Sequence, residues 1–306
     1  MKKQFKWLYV AALAIGVAAF TACDDDDNNN NGNGGELTGP DAIAAENLMA
    51  HWAFDDTPND QKGRQGTAVG SVTYVKGQRG KAYQGAEASY IRFPYSANDN
   101  LSQVTAYTIA FWVRFVERAG ADGIFSLSGG EVITTDGVAS APADHWAAGL
   151  QIYQDGAKDS LTLRTTGNRN EFGLLWDPAG KSPMNVGSSW YHFMVTYDNA
   201  TSTKSHYVNG KKCAEVANIV QVQKNPETGL PAVEVPLGDL KMHLREVGKE
   251  NVGVIGSWAN RVLSYDLQDW QNTFRGQLDE LRVYNRALTD TEVKALYEAE
   301  FMAVED

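Results

Sequence analysis

Four tryptophans in loop-like stretches are the side chains in this sequence best suited to binding a ligand. Sugar rings present apolar C–H faces to flat aromatic side chains, while nearby polar side chains bond the hydroxyl groups. The four are Trp146, Trp176, Trp258 and Trp270, and their polar neighbours are Asp144, Asn260 and Arg261. Their number favours a carbohydrate-binding platform, and the alternative is that each ring covers an edge of the fold.

A row of polar and aromatic residues on predicted strands is a second candidate location. These residues alternate with apolar ones, so they fall on the face of each strand that is opposite the core. The row contains Trp112, Arg114, His192, Thr196, Glu280, Arg282 and Tyr284. Such a row across one sheet face would line a ligand groove, unless loops or the long stretch 220–250 cover that face.

Paired carboxylates are the signature of glycoside hydrolysis, and this sequence has no recognisable pair. Retaining enzymes hold the two groups about 5–5.5 Å apart. On one strand that separation requires i, i+2 spacing, because only alternate residues share a face. Asp279 and Glu280 are adjacent, so they are predicted to point to opposite faces. No catalytic residue is assigned, and a cross-strand pair that includes Glu280 keeps a glycoside hydrolase as the alternative function.

Histidine and cysteine positions give no support for metal or thiol chemistry. The five histidines, at positions 51, 145, 192, 206 and 243, have no metal-type spacing between any two. Only two cysteines are present, Cys23 and Cys213. If Cys23 is lipidated, no disulfide can form within the domain, and Cys213 is predicted to be a small buried hydrophobe.

Short strands separated by turn signals dominate the chain from residue 46 onward. Residues 107–115 and 191–198 alternate between apolar and more polar side chains, which is typical of strands with two different faces. Near the end, Thr289 and Glu292 fit a capping box, and the apolar stripe of the helix that follows contains Val293, Leu296, Tyr297 and Phe301. The pattern predicts one all-β domain over residues 46–306, a jelly-roll sandwich with a short C-terminal helix. Residues 220–249 are predicted to be an extended loop or edge excursion.

Residues 1–22 have the pattern of a cleaved secretory signal. Lys2, Lys3 and Lys6 precede an apolar run, from position 7 to position 20, that is too short to span a bilayer comfortably. The stretch Phe20-Thr-Ala-Cys23 resembles a lipobox, which implies that Cys23 becomes the lipidated first residue. Residues 23–45 are then a flexible tether, because a run of Asp, Asn and Gly buries too little surface to offset its ordering entropy.

The acidic residues that follow Cys23 resemble the surface-export signal of lipoproteins from gut-type Bacteroidetes. That resemblance implies an outer-membrane lipoprotein exposed at the cell surface. In enteric bacteria an aspartate after the cysteine would instead suggest retention at the inner membrane. We adopt the interpretation that the protein is exposed at the cell surface.

The formal net charge argues against nucleic acid or an anionic membrane as partner. Loss of the three leader lysines takes the charge from −11 to −14, and leaving out the four tether aspartates gives −10 for the rest. A domain this acidic, without basic clusters, repels polyanions. About 270 residues suffice for one large sandwich stabilised by core burial.

Five segments resemble LamG-like members of the concanavalin A-like lectin/glucanase superfamily. They are His51-Trp-Ala-Phe-Asp55, Gly80-Lys-Ala-Tyr-Gln-Gly85, Tyr107-Thr-Ile-Ala-Phe-Trp-Val-Arg114, the run 190–198 and the run 274–288. They extend in the family's order from about residue 48 to residue 300. The resemblance implies two antiparallel sheets packed face to face, and it implies one structural calcium ion held by Asp55 and Asp279, with Asp56 or Asp60 assisting. The alternative for the acidic loop is a solvated turn.

The sequence as a whole predicts a surface-anchored lipoprotein that carries a glycan-binding or adhesion module. Its expected partners are a glycan or polysaccharide, the membrane through its lipid anchor, and neighbouring polysaccharide-utilisation proteins. Two other classes remain open, a glycoside hydrolase and a structural or protein-binding lipoprotein. Fold alone does not choose among them, since one fold hosts many functions.

Overall fold

The computed structural model describes residues 39–116, 120–130, 132–133, 139–141, 149–155, 162–166, 187, 189–224 and 231–302. The first ten strands are β1 Leu48–Trp52, β2 Thr67–Val69, β3 Thr73–Lys76, β4 Lys81–Gln84, β5 Tyr90–Pro94, β6 Tyr107–Arg114, β7 Ala121–Leu127, β8 Val132–Ile133, β9 Ala139–Ala141 and β10 Gln151–Asp155. The others are β11 Thr162–Thr166, β12 Tyr191–Asp198, β13 Thr203–Val208, β14 Lys211–Val216, β15 Val220–Lys224, β16 Pro231–Pro236, β17 Val252–Ile255, β18 Gln271–Thr273 and β19 Gln277–Tyr284. Two α-helices, α1 Ala259–Val262 and α2 Asp290–Met302, and three 3-10 helices, Gly39–Ala42, Ala45–Asn47 and Asn100–Ser102, complete these elements.

Two sheets form the sandwich. Sheet A has the order β14-β13-β12-β6-β19-β4-β3, with β1 also paired to β19. Sheet B has the order β11-β10-β7-β17-β5-β2, and the short β18 lies parallel to β7 at its side. All other pairings within the two sheets are antiparallel, as the alternating pattern predicts. The prediction of an all-β jelly roll with two antiparallel sheets and one late helix is confirmed.

The core lies between the two sheets and is rich in aromatic side chains. Phe111, Phe193 and Leu281 are fully buried, as expected from their strand positions. Trp52 of sheet A meets Phe93 of sheet B with ring centroids 4.8 Å apart. Such aromatic pairs contribute about 0.5–1.5 kcal/mol beyond the area they bury, so this contact helps to hold the sheets together.

Helix α2 begins at the predicted capping box. The Thr289 hydroxyl accepts a hydrogen bond from the Glu292 backbone N–H at 3.3 Å, and the Glu292 carboxylate accepts one from the Thr289 N–H at 2.8 Å. Both bonds satisfy amides that the first helical turn leaves without partners. Val293 and Leu296 are fully buried against the outer face of sheet A, while Phe301 is about half exposed.

The stretch 220–249 differs in part from its prediction. β15 and β16 form a separate two-stranded hairpin, in which Val220 lies opposite Pro236 and Lys224 opposite Pro231. The two prolines occupy the ends of β16, where a missing N–H disturbs the ladder least. From residue 237 to residue 251 the chain has no regular strand, and this part agrees with the predicted loop.

Strand register defines two ends of the sandwich. β17 is antiparallel to β5, with Ile255 opposite Ile91, so the loop after β17 leaves at the end where β5 begins. β18 closes that loop beside the start of β7. Trp258 and Trp270 lie on this loop, and we call this end the tryptophan end. Leu37–Asp306 form one compact unit, and no helix among the described residues is long and apolar enough to cross a membrane.

Candidate functional site

The loop from Gly256 to Gln271, called here the 256–271 loop, carries the two predicted platform tryptophans that lie within the described residues. Its helix α1 turns back over the outer face of sheet B. There Ala259 packs with Val252 and Val254 of β17. The loop is therefore anchored to the sheet by apolar contacts.

A buried amide fixes the shape of the 256–271 loop. Asn260 is fully buried, and its Nδ2 donates to the carbonyl oxygens of Tyr265 at 3.3 Å and Asp266 at 3.0 Å. Asn260 and Gln271 also exchange side-chain hydrogen bonds of 2.8 and 3.1 Å. A buried amide is destabilising unless its donors and acceptors are used, and both sides of this one are occupied.

Two non-glycine residues of the 256–271 loop hold a left-handed backbone. Ser264 has a φ of 56° and Asp266 a φ of 41°. Non-glycine residues rarely adopt this region, and they keep it only where surrounding contacts over-determine the conformation. The Asn260 amide supplies such contacts, because its Nδ2 donates to the carbonyl oxygens of both Tyr265 and Asp266.

The two tryptophans of the loop have different roles. Trp258 is fully buried, its Nε1 donates to the Asn272 carbonyl at 3.0 Å, and its ring lies 4.7 Å from that of Tyr153. Trp270 is 38% exposed, and its ring stands edge-on to Trp258 at 5.3 Å. Its backbone is held too, since its carbonyl accepts from the Ala121 N–H at 2.9 Å. Trp270 is thus an exposed ring on a fixed support.

The predicted platform is therefore corrected in composition. Trp258 supports the Trp270 ring. Its own ring is fully buried and so is not accessible to a ligand. Asn260 holds the loop together and is too deeply buried to bond a ligand, while Arg261 is exposed. Trp146 and Trp176, like Asp144, lie outside the described residues, so their part in the platform stays a prediction.

The predicted row on the sheet face lies on sheet A, and helix α2 covers it. Trp112 is 2% exposed, His192 1%, and neither Arg282 nor Tyr284 is exposed at all. The expectation of an open groove is corrected for these four, because an amphipathic helix buries its apolar side on the same face. Arg114 lies at the tryptophan end of β6 and is half-buried, with its guanidinium 3.4 Å from the Gln277 side-chain oxygen.

Glu300 of α2 is the centre of the contacts that close this face. Its carboxylate accepts from Trp112 Nε1 at 2.8 Å and from Arg282 Nε at 2.7 Å, and it lies 3.3 Å from His192 Nε2. Arg282 also donates to Asp41, in the first 3-10 helix, at 2.7 Å. The network joins both ends of the described chain to the middle of sheet A.

Electrostatics keeps this network charged. Burial alone would raise the pKa of Glu300, but the hydrogen bond and charge of His192 and the charge of Arg282 lower it to about 2. Tyr284 is the last residue of the predicted row. Burial raises the pKa of its hydroxyl well above the ordinary value. A buried anion is tolerated here because the Arg282 guanidinium and the Trp112 indole N–H donate hydrogen bonds to it.

Glu280, the carboxylate of the predicted row, lies at a register shift in β19. Its φ is 50°, and the pairing of β19 with β6 shifts register between Asp279 and Arg282. Its Oε2 lies 2.7 Å from His51 Nε2 and 2.6 Å from Arg282 Nη2, and the residue is 5% exposed. A carboxylate held by two such neighbours in a closed region is poorly placed to act on a substrate. Sequence reasoning missed this bulge, and also Glu300, because neither follows strand alternation.

Asp55 and Asp279 converge on the same tight turn between β3 and β4. Asp279 is fully buried, and its two oxygens accept from the backbone N–H groups of Arg79 and Glu280, each at 2.9 Å. Asp55 accepts from the N–H of Lys81 at 2.7 Å. Both carboxylates keep further lone pairs beyond these bonds.

The surroundings of these carboxylates fit a hard cation. Burial, and then the charge of Glu280, raise the pKa of Asp279 to about 8 even though backbone amides oppose the shift. A carboxylate with so little compensation would gain from a bound cation. The turn approaches closely because Gly77 and Gly80 have no Cβ, which would lie 2.4 Å from Asp279 Oδ2 and 2.3 Å from Asp55 Oδ1.

The remaining ligands of such a cation would not be acidic side chains. Asp56 pairs with Lys81 at 2.7 Å, and Asp60 pairs with Arg64 at 2.7 Å, so each of these carboxylates is engaged by a cationic side chain. The part of the chain that the structure describes has no group of three or more His, Cys, Asp or Glu residues able to hold a metal. Calcium would need backbone carbonyl and water oxygens as well.

Two shallow grooves flank the 3-10 helix Asn100–Ser102 at the end of the sandwich away from the tryptophans. One has a volume of about 460 Å³ and includes Gln103 and Met242 in its lining. The other has a volume of about 530 Å³ and includes Lys62 and Arg64. No tryptophan, tyrosine or phenylalanine is among the described residues that line them, so they are less suited to stacking against sugar rings than Trp270 is.

Comparison with known families and structures agrees with the architecture. Residues 85–232 match the family model Laminin_G_3, described as the concanavalin A-like lectin/glucanases superfamily. This match supports a LamG-like domain, and the jelly-roll fold is consistent with that superfamily. A search of curated proteins found no match.

One similar solved structure is domain 4 of AbnA, a GH43 extracellular arabinanase from Geobacillus stearothermophilus, in complex with arabinotriose. It has a TM-score of 0.51 and 20% sequence identity, and the alignment covers 82% of this chain and 98% of that domain. Botulinum neurotoxin type C gives a TM-score of 0.49 at 10% identity, covering 85% of this chain. The binding domain of Paraclostridial Mosquitocidal Protein 1 gives 0.48 at 16% identity, covering 82%. This chain spans about half the length of the two toxin chains, 53% and 52% respectively.

Proposed function

We propose that this jelly roll is a glycan-binding module and that Trp270 is its stacking residue. The observation that carries the proposal is an exposed indole held rigidly at the tryptophan end, edge-on to the buried ring of Trp258. An aromatic side chain loses little conformational entropy on binding when its support is already ordered. Rigid exposed rings of this kind suit the apolar face of a sugar.

The neighbours of Trp270 supply the other contacts that a sugar needs. Leu267 is 59% exposed on the same loop, and it adds apolar surface. Asp266, Asp269 and Arg261 are exposed polar residues of that loop. Hydroxyl groups of a saccharide would donate to the carboxylates and accept from the guanidinium.

The similarity to the arabinanase domain agrees with this proposal at the level of the fold. That domain was solved with arabinotriose, a short neutral oligosaccharide. A sandwich of this type therefore can bind sugar in at least one protein of similar size. The hydrolase alternative has no comparable support in the described residues, since Glu280 is locked by His51 and Arg282.

We also propose that the module acts at the cell surface. Cys23 would carry the lipid, residues 23–38 would be the tether, and the jelly roll would project from the outer membrane near other polysaccharide-utilisation proteins. The tether is shorter than the predicted 23–45, because Asp41 of the 3-10 helix Gly39–Ala42 is bound by Arg282. The leader 1–22 and residues 23–38 lie outside the described residues. Globomycin treatment, radiolabelled palmitate incorporation and surface proteolysis of intact cells test this placement, and a chain that stays unlabelled has no lipid anchor.

A single structural calcium ion, held by Asp55 and Asp279, is part of the same proposal. Its support is the convergence of the two carboxylates on one turn and the weak compensation of the buried Asp279 charge. When bound, the ion would neutralise these carboxylates and stabilise the β3–β4 turn.

A glycan array tests the binding function. The protein would be residues 23–306 with Cys23→Ser, and the variants Trp270→Ala and Trp270→Phe. We expect Trp270→Ala to weaken binding at least about tenfold, or about 1.4 kcal/mol, and Trp270→Phe to retain most of it, because phenylalanine still stacks.

The matched control is Phe301→Ala, which removes another exposed aromatic ring, on helix α2. It should leave glycan binding unchanged. Binding that survives Trp270→Ala but is lost in Phe301→Ala would move the site to sheet A. No signal for any glycan would favour a structural or protein-binding role instead.

A further inference from the structure

A row of polar side chains crosses sheet A beyond the end of helix α2. Strand register places Thr73 of β3 opposite Gln84 of β4, and it places Gln277 of β19 between Gln84 and Arg114 of β6. Opposite residues of antiparallel strands share a face. Arg114 is two residues from Trp112, so the row lies on the outer face of the sheet. Thr73 is exposed and the other three are half-buried, so solvent reaches these four residues, called here the Arg114 row.

Hydrogen bonds fix the orientation of both glutamines. The Nε2 of Gln84 donates to the carbonyl oxygens of Gly85, at 2.9 Å, and Arg275, at 2.8 Å. Its Oε1 accepts from the Nε2 of Gln277 at 2.9 Å. The Oε1 of Gln277 then faces Arg114, 3.4 Å from Nη1. Because carbonyl oxygens only accept, they determine the direction of the whole series, and Arg114 stands at its other end as a donor.

No carboxylate of the described residues pairs with Arg114. Its guanidinium has two contacts, to oxygens of Gln277 and Gly187, and both are 3.4 Å long and have neutral acceptors. By contrast, an aspartate or glutamate pairs with each of Arg64, Arg79, Arg92, Arg275, Arg282 and Arg286. A half-buried guanidinium has lost part of its hydration, and buried charges are normally paired. Arg114 would therefore gain from an anion supplied by a ligand.

The unused hydrogen-bonding groups beside Arg114 are mostly donors. A guanidinium has five N–H donors, and Arg114 uses two of its nitrogens in long contacts. The Nε2 of Gln277 has a second hydrogen besides the one it gives to Gln84. The planar fork of arginine matches the two oxygens of a carboxylate, and such charge-assisted bonds are stronger than bonds between neutral groups. A carboxylate is thus the group that fits this end of the row.

We propose that the Arg114 row is a second saccharide-binding site, which takes acidic sugars whose carboxylate pairs with Arg114. Gln277 donates its remaining N–H to an oxygen of the same sugar, and the Thr73 hydroxyl bonds the saccharide further along. Four strands spaced as in ordinary sheets give the row a length of about 14 Å, which is more than one sugar ring. The site lies on sheet A and does not use Trp270, so it is independent of the role proposed for that residue.

Isothermal titration with trigalacturonate at physiological salt tests the site, on residues 23–306 with Cys23→Ser. The fully methyl-esterified trimer is the matched probe, because it has the same rings and no charge. We expect the acid to bind at least about tenfold more tightly than the ester. Arg114→Met keeps the aliphatic stem and removes the charge, and it should weaken acid binding at least about tenfold. Because Arg114 has no carboxylate partner, this variant should keep its melting temperature.

Arg92→Met is the matched control. Arg92 is also half-buried, but it lies on β5 of sheet B and pairs with Glu250. Its loss removes the same charge from another part of the domain and should leave acid binding unchanged. Arg114→Lys keeps the charge without the planar fork, and it should bind the acid several-fold more weakly than the unaltered protein. Trp270→Ala should leave acid binding unchanged.

The other outcomes overturn the inference and separate it from the function proposed for Trp270. Equal binding of acid and ester refutes the pairing of a carboxylate with Arg114. An equal loss in Arg92→Met and Arg114→Met shows that only the overall charge matters. If Trp270→Ala abolishes acid binding and Arg114→Met does not, the acid binds at the 256–271 loop, and the Arg114 row is no site. If the acid does not bind at all, this inference fails, and the glycan array alone decides the role of Trp270.

Discussion

Arg282 Nε donates to Glu300 Oε1 across 2.7 Å, and neither side chain is exposed to solvent. The pair joins the centre of sheet A to the C-terminal helix. Because both charges are buried, each depends on the other for compensation. This contact helps to hold α2 over one face of the sandwich, and among the described residues Trp270 at the tryptophan end is an exposed tryptophan with a buried aromatic support.

Loss of the Arg282 charge should strongly destabilise the domain. In Arg282→Met, the carboxylates of Glu300 and Glu280 would remain buried without their main cation. We expect the free energy of unfolding to fall by about 3–5 kcal/mol, measured by urea denaturation. Lys294→Ala, which removes an exposed helix charge 3.5 Å from Glu298, should change it by less than about 0.5 kcal/mol. Equal effects of the two variants would contradict the assigned role of Arg282.

Stability should fall on acidification between about pH 4.5 and pH 2. The pKa of Glu300 is lowered from 4.5 to about 2 in the folded state. Its contribution is therefore fully present above the unfolded pKa and is lost as the pH falls through that window. The shift corresponds to roughly 3 kcal/mol. Glu300→Gln should flatten this part of the stability profile in pH-dependent denaturation, and an unchanged profile would show that other carboxylates dominate.

Calcium should raise the melting temperature, and a chelator should reverse the effect. Binding to the folded state alone stabilises by about 2.7 kcal/mol when the ion is at 100 times its dissociation constant. Asp279→Asn should abolish the response, whereas Asp56→Asn should retain it, since Asp56 is paired with Lys81. If calorimetric titration with calcium gives no heat and the melting curve is unchanged, the protein does not bind the ion.

Substitution of Asn260 should weaken glycan binding although Asn260 does not reach the surface. Asn260→Ala leaves the carbonyls of Tyr265 and Asp266 and the Gln271 side chain without their shared partner. We expect a loss of about 1–3 kcal/mol in stability and a several-fold loss of affinity, because Trp270 is less well held. Ser264→Gly, which suits the positive φ at that position, should keep both properties. Full affinity in Asn260→Ala would show that the loop needs no such clamp.

The sequence predicted the general architecture because strand alternation is local. Phe111 and Phe193 are buried between the sheets as their spacing requires, and the capping box at Thr289 begins the last helix. Strand alternation failed at Glu280, because a bulge shifts the register of β19. A bulge is a tertiary fit between neighbouring strands, and nothing in the spacing marks it.

The candidate site was predicted only in part for a similar reason. Trp270 was identified correctly as a loop tryptophan that reaches solvent, but Trp258 could not be distinguished from it by sequence. Both lie in loop-like stretches, and only the tertiary packing shows that Trp258 is buried beside Tyr153 and supports the Trp270 ring. Likewise Asn260 looked like a ligand-binding amide, and the structure uses it to hold the loop.

By itself, the sequence determined which side chains share a strand face and where the last helix begins, since both follow from periodicity and end capping within a few residues. Only the tertiary structure decided which of those faces stays open. Arg282 meets Glu300 from 18 residues away and Asp41 from 241 residues away. Contacts at such separations depend on how whole elements pack, and local spacing carries no information about which element covers which face.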